Sequence, residues 1–81
     1  MSDHSQVIEE YLLLLYELDR AGEKAKAVTL ATRLETSPPT VHATIIRMQR
    51  DGLVKVKKSK EISLTKEGQE VAENIAYRHN L

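Results

Sequence analysis

The chain has 81 residues, no cysteine, and twelve acidic and twelve basic side chains. A chain of this size is expected to form one small domain with a modest core, and the absence of cysteine excludes disulfides and cysteine-ligated zinc. The longest apolar run, residues 11–16, is much shorter than the roughly 18 residues that a membrane-spanning helix needs. No signal peptide is visible, so the cytoplasm is the expected compartment.

The net charge of zero hides a strong division along the chain. Residues 1–23 contain one basic and six acidic residues, residues 24–60 contain nine basic and two acidic residues, and residues 61–81 contain two basic and four acidic residues. A segment this basic is typical of an electrostatic footprint for nucleic acid, and a solvated charged face is the alternative. The footprint is favoured because the segment coincides with a predicted helix pair and hairpin.

The first predicted helix covers about residues 5–21 and ends with Gly22 as its C′ residue. Its inward stripe consists of Ile8, Tyr11, Leu12, Leu15 and Leu18. The apolar surface of this helix is wider than one inward stripe needs, because it also includes Val7, Leu13 and Leu14. This surplus is expected to bury within the domain or, as a slightly preferred alternative, to pack on material outside this chain.

A second helix is predicted for residues 27–34, and a short connection leads to a third, as in a tight turn between two helices. Ser37 is a suitable N-cap for the third helix, and Pro38 falls at its first position, where the missing N–H costs nothing. This helix should end near Gly52. The inner face of this helix consists of Val41, Ile45 and Met48. The opposite face consists of Pro39, Ala43, Arg47 and Arg50, and the flanks consist of Thr40 and His42. A helix with one apolar side and one small, polar and basic side suits a DNA major groove.

Residues 53–57 and 61–64 are predicted to pair as strands around a turn at residues 58–60, and Thr65 is expected to cap a last helix. The inward face of this hairpin should consist of Val54, Val56, Ile62 and Leu64. Its lysines are Lys55, Lys57, Lys58 and Lys60. They are expected to contact phosphates beside the groove, although lysine also protects exposed strand edges. Three helices, a two-stranded wing and a C-terminal helix predict an α+β, mainly α, winged helix-turn-helix domain.

Other basic side chains leave alternatives open. Lys24 and Lys26 precede the second helix and could contact the DNA backbone on the other flank. Arg47 and Arg50 can reach phosphates or guanine edges, or could instead pair with Asp51 or Glu35.

Several blocks of sequence together resemble the diphtheria toxin repressor family of metal-dependent transcription repressors. They are residues 34–41 (LETSPPTV), 47–54 (RMQRDGLV), 10–12 (EYL), 16–18 (YEL), 64–68 (LTKEG) and 77–79 (YRH). The blocks occur in the family's order and cover nearly the whole chain. The resemblance implies that residues 1–81 are one winged-helix DNA-binding domain. It also implies that the family's helical domain, which dimerises and supplies most metal ligands, is absent from this chain.

The resemblance also implies roles for individual residues. Ser37, Pro39 and Ala43 match positions that contact base edges. Positions that contact the backbone are matched by Thr40, His42, Arg47, Arg50 and Lys60. Ala43 departs from close relatives, which carry a longer hydrogen-bonding side chain there. Alanine can meet a thymine methyl group but cannot form a hydrogen bond with a base edge.

Two positions match metal ligands of the family: Glu10 at the primary site and His79 at the ancillary site. From the residues alone, Glu10 is one of several acids on an acidic helix, and His79 is a histidine near the end of the chain. The resemblance implies a divalent transition metal, manganese or iron, in the complete protein. Two isolated ligands do not make a tight site, so this chain alone is expected to bind no metal tightly.

The favoured function is therefore sequence-specific binding of double-stranded DNA by a metal-dependent repressor of metal-homeostasis genes. The resemblance implies a homodimer on a pseudo-palindromic operator, and no membrane is involved. The alternative is a winged-helix protein-interaction module that docks a partner through the apolar surface of helix 1. Catalysis is not expected, because the three histidines are widely spaced and neither a glycine-rich phosphate loop nor a nucleophile–base pair can be identified.

Overall fold

The structure is a computed structural model that describes residues 6–79, with side chains through residue 78. Its elements are α1 (Gln6–Arg20), α2 (Ala27–Arg33), α3 (Pro38–Arg50), β1 (Val54–Val56), β2 (Ile62–Leu64) and α4 (Lys66–His79). The order of elements agrees with the prediction, and the helix ends differ by one residue or so. The predicted start of the first helix at residue 5 lies outside the described residues.

The first three helices end in the same backbone arrangement, the Schellman motif. After each helix there is one residue with a positive φ: Gly22 (74°), Glu35 (55°) and Gly52 (77°). The following amide then donates a hydrogen bond to a carbonyl in the last turn, over 2.9 Å in each case. The predicted role of Gly22 is confirmed. Glu35 differs because its Cβ makes this left-handed conformation costly, and glycine avoids that cost.

The core lies where all four helices and the base of the hairpin meet. The largest fully buried side chains are Leu12, Leu30, Val41, Met48, Leu53 and Ile75. Val41, Ile45 and Met48 of α3 all point into this core, as their spacing predicts. The burial of its inner face fixes the rotation of α3 and leaves the opposite face to solvent.

Two side chains depart from the predicted pattern, and a third, Thr44, was not part of it. Leu14 of α1 is buried, so the interpretation that it packs on material outside this chain was wrong. Of the other two side chains in that surplus, Leu13 is partly buried against the core, and Val7 is exposed. Val56 was predicted to face inward but is 37% exposed, because it lies at the outer end of a three-residue strand. Thr44 of α3 is buried, and its hydroxyl donates to the Thr40 carbonyl over 3.1 Å.

The hairpin is antiparallel, with Val54 opposite Leu64 and Val56 opposite Ile62. Two hydrogen bonds close its turn: Lys57 N to Glu61 O at 2.8 Å, and Lys60 N to Lys57 O at 2.9 Å. Lys60 has a φ of 74°, the position at which three-residue hairpin loops favour glycine. A further bond, from Ile62 N to the Ala25 carbonyl at 2.7 Å, attaches the hairpin to the segment before α2.

The junction between α3, the hairpin and α4 is unusually tight. Thr65 accepts a hydrogen bond from Gly68 N at 3.0 Å, which confirms it as the cap of α4, and its hydroxyl donates to the Gly52 carbonyl at 2.6 Å. A Cβ at Gly68 would lie only 1.9 Å from the carbonyl oxygen of Leu53. Position 68 therefore requires glycine because two backbones touch there.

Replacing Gly68 with alanine should destabilise the domain by about 2–3 kcal/mol, since backbone atoms must move to admit the methyl group. The measurement is urea unfolding followed by circular dichroism. Gly22→Ala is a comparison without a clash, because nothing lies within 4 Å of its Cβ position, but its φ of 74° makes alanine cost about 1 kcal/mol through left-handed strain. A loss for Gly68→Ala no larger than that of Gly22→Ala would show that the close approach does not matter.

Replacing Glu35 with glycine should raise the free energy of unfolding by up to about 1 kcal/mol, because the left-handed strain is removed while the Schellman bonds remain. Thermal unfolding measures the change. Glu35→Ala removes the same charge but keeps the Cβ, so it should show no such gain. A stabilisation of similar size by alanine would assign the effect to charge instead.

Candidate nucleic-acid interface

The outer face of α3 is open to solvent along its whole length. Its exposed side chains include Pro39, His42, Ala43, Arg47 and Arg50. At its start, the Ser37 hydroxyl accepts from Thr40 N at 3.4 Å and lies 2.9 Å from the Thr40 hydroxyl, so the predicted cap is present. The helix thus presents a small, polar and basic surface that is rigidly attached to the core.

Arg47 and Arg50 belong to the last turn of α3. The alternative that they pair with Asp51 or Glu35 is not found: neither arginine forms an ion pair with any described side chain. Both guanidinium groups are therefore available to an external anion. Arginine is suited to that role because its planar group can form two parallel hydrogen bonds with phosphate or guanine.

Three of the predicted DNA-contacting residues meet at one cleft between α2, α3 and the hairpin. Lys26, His42 and Lys60 line this open cleft, which has a volume of about 360 Å³. Its apolar lining consists of Ala27, Val28, Ile45, Val56 and Ile62. A sugar–phosphate unit has matching chemistry, since its phosphate is anionic and its sugar carbons are apolar.

The lysines of the hairpin fall into two groups. Lys57 forms an ion pair with Glu61 at 3.6 Å, and Lys24 pairs with the same carboxylate at 3.5 Å. By contrast, Lys58 and Lys60 near the tip, like Lys55, have no acidic partner among the described side chains. The structure thus separates Lys57, which shares a local carboxylate, from Lys58 and Lys60, which remain available to phosphates.

Two residues were overlooked at the sequence level. Glu61 is only 17% exposed and holds Lys24 and Lys57, and its spacing of four residues from Lys57 could have suggested the pair. Ile46 lies on the outer face of α3 and is 63% exposed. Its angular position on a helical wheel would have placed it there.

The surface of α1 considered for protein docking is smaller than predicted. With Leu14 buried, what remains is exposed Val7 and an open groove between α1 and α4. The groove is lined in part by Leu13, Tyr16, Ala76 and Tyr77. Arg20 partly occupies this region: its guanidinium lies 5.4 Å from the ring centre of Tyr16 and donates to the Tyr16 hydroxyl at 2.9 Å.

The predicted metal ligands do not form a site within the described part of the chain. Glu10 is exposed on α1, and no group of three or more His, Cys, Asp or Glu side chains there is arranged to hold a metal ion. His79 closes α4, but its side chain lies outside the described residues. A lone carboxylate does not fit a divalent transition metal, which needs several ligands. Among residues 6–79, no helix is long and apolar enough to cross a membrane.

The fold is shared with proteins of solved structure. MepR, a transcription regulator of the Staphylococcus aureus multidrug efflux pump MepA, superimposes with a TM-score of 0.83 at 22% identity, over 96% of this chain and 58% of that chain. ZitR of Lactococcus lactis gives a TM-score of 0.78 at 27% identity, over 99% of this chain and 55% of that chain. ZitR has also been solved in complex with DNA. These similarities confirm the winged helix-turn-helix fold.

Sequence comparison identifies the family. The diphtheria toxin repressor of Corynebacterium glutamicum is 40% identical over all of this chain and 36% of that protein, and the iron-dependent repressor IdeR of Mycobacterium leprae is 37% identical over all of this chain and 35% of that protein. The chain therefore spans about a third of the length of these curated relatives. They are regulators rather than enzymes, and they do not favour a protein-docking module. Residues 3–62 match the family described as iron dependent repressor, N-terminal DNA binding domain, and the chain belongs to that family.

Proposed function

We propose that this chain binds double-stranded DNA by inserting the outer face of α3 into a major groove, as the DNA-reading part of a metal-dependent repressor of metal-homeostasis genes. The observation that carries this proposal is the exposed face of α3, on which Arg47 and Arg50 have no described acidic partner. In a family of DNA-binding domains, the ligand expected for an exposed basic face is the DNA duplex. DNA also makes the cytoplasm the proposed compartment.

The proposed contacts divide into two kinds. Ser37, Pro39 and Ala43 are proposed to face base edges, because they occupy the start and outer side of α3. Phosphate contacts are proposed for Lys26, Thr40, His42, Arg47, Arg50, Lys58 and Lys60, with Lys57 contributing if it leaves Glu61. Phosphate contacts set position and salt-dependent affinity, whereas base contacts set sequence preference.

Regulation by metal is proposed for a protein of the relatives' full length. Glu10 and His79 would each contribute a ligand to a site completed by other residues, and the metal would be iron or manganese. One such domain covers one half-site, so a homodimer on a pseudo-palindromic operator is proposed to supply the affinity that a single domain lacks. This chain alone should therefore bind DNA weakly.

Charge reversal of both Arg47 and Arg50 to glutamate should abolish duplex binding, since two phosphate or base contacts become repulsive. The measurement is fluorescence anisotropy with duplex DNA at several salt concentrations. If Lys26, Arg47, Arg50, Lys58 and Lys60 each neutralise one phosphate, the wild-type chain should show a log–log salt slope of about −4.5. The fold should survive because both arginines are exposed.

The control is the double reversal of Arg20 and Arg78 to glutamate. It changes the net charge by the same amount as the reversal on α3, but the changes lie on α1 and α4. It should retain most of the binding. If it weakened binding as much as reversal on α3, overall charge rather than this face would be responsible. A wild-type chain that binds no duplex even at low salt would contradict the proposed function.

Lys60 permits a test that separates charge from backbone strain. Lys60→Gly should weaken duplex binding and make the log–log salt slope about 0.9 less steep, since one phosphate contact is lost. The same change should leave the hairpin as stable as before, or more stable by up to about 1 kcal/mol, because its φ of 74° suits glycine. Anisotropy and thermal unfolding give the two readouts.

Lys60→Ala is the matched comparison, because it removes the charge but keeps the Cβ. It should weaken binding as much as Lys60→Gly without the gain in stability. Unchanged affinity in both variants would remove Lys60 from the interface.

A further inference from the structure

The outer face of α3 contains an exposed isoleucine that none of the contacts described so far uses. Ile46 is 63% exposed, whereas Ile45, its neighbour in sequence, is 4% exposed. With about 100° per residue, Ile46 lies about 160° around the helix from Met48 and about 140° from Val41, the two fully buried side chains of the inner face. Ile46 therefore lies close to the middle of the outward face.

Its neighbours on that face are apolar as well as basic. Pro39 lies two turns earlier and about 20° away around the helix, and Ala43 lies one turn earlier and about 60° away. Arg50 follows one turn later, about 40° away. The middle of the face is thus a strip formed by Pro39, Ala43 and Ile46, and unpaired guanidinium groups lie beside it.

A single exposed aliphatic side chain on a protein surface is ordinary. Ile46 differs because it occupies the part of the helix that the proposed function places against base edges. An isoleucine side chain gains no favourable interaction from a charged phosphate. Beside a hydrogen-bonding base edge, it would leave the polar groups of that base without a partner. The one apolar group that a base presents in the major groove is the C5-methyl group of thymine.

Resting on the proposed function, we infer that Ile46 is a specificity-determining residue that selects thymine through contact with its methyl group. Ala43 and Pro39 extend the same apolar surface toward the start of the helix. The arginines hold the helix in the groove by their charge, and Ile46 makes the bound sequence matter at one or two base pairs. The preference is for the methyl group itself, because no atom of Ile46 can form a hydrogen bond with a base.

The experiment uses the complete 81-residue chain and a duplex selected by it from a random library at low salt. Each thymine of that duplex is replaced in turn by deoxyuridine, which lacks only the methyl group, and affinity is measured by anisotropy. At one or two positions the replacement should weaken wild-type binding about fourfold, the effect of removing one buried carbon. If the duplexes selected from the library share no thymine, the inference is overturned.

The decisive variant is Ile46→Ala, which should keep the fold because the side chain is largely exposed. It should bind the thymine duplex about as weakly as the wild type binds the deoxyuridine duplex, and deoxyuridine should cost this variant almost nothing more. Val7→Ala is the control, an exposed aliphatic truncation on α1, and it should retain the full sensitivity to deoxyuridine.

The outcomes separate this inference from the function on which it depends. If duplex binding depends on Arg47 and salt but is indifferent to deoxyuridine at every position, the inference fails and the proposed function stands. If Ile46→Ala keeps the wild-type sensitivity, the methyl contact belongs to another residue and the assignment to Ile46 is wrong. If no duplex is bound at all, both fail together.

Discussion

The burial of one side of α3 is the constraint on which the rest of the molecule depends. Val41, Ile45 and Met48 occupy the core together with side chains from α1, α2 and α4. A helix anchored along one side cannot rotate without exposing those residues, at about 1.5–3 kcal/mol for each side chain. The outer face is consequently held in one orientation before any ligand arrives, so binding need not supply the cost of ordering it.

The hairpin is held to the same framework by backbone contacts rather than by a core of its own. Strands of three residues are too short to be stable alone. The carbonyls of Leu53 and Ala25 accept hydrogen bonds at its two sides, from Thr65 N and Ile62 N, and Gly68 allows α4 to approach Leu53 closely. Because these contacts fix the base of the hairpin relative to α3, Lys60 lies at the same cleft as Lys26 and His42.

The sequence predicted the features that depend on local chemistry. Gly22 after α1, Ser37 before α3 and Thr65 before α4 act through bonds to residues within a few positions, so their roles are legible without the fold. Features that depend on distant residues were missed or misjudged. Leu14 appeared surplus because its burial depends on how α1 packs in the fold, and Gly68 matched a family block without a reason until the Leu53 carbonyl was seen beside it.

The apolar strip of Pro39, Ala43 and Ile46, which is proposed to contact base edges, limits how well one domain can discriminate between DNA sequences. A thymine methyl contact discriminates by about 0.8 kcal/mol, whereas a bidentate hydrogen-bonded pair discriminates by about 1–3 kcal/mol. If α3 binds DNA as proposed, Ala43 and Ile46 in the middle of the helix would let one domain distinguish base pairs only weakly, however firmly Arg47 and Arg50 held the phosphates. Two linked copies on a two-fold operator add their preferences, so fourfold discrimination in each half-site becomes about sixteenfold. Under the proposed function, such a domain would gain its specificity mainly from pairing, and a metal that controlled pairing would then control specificity as well as affinity.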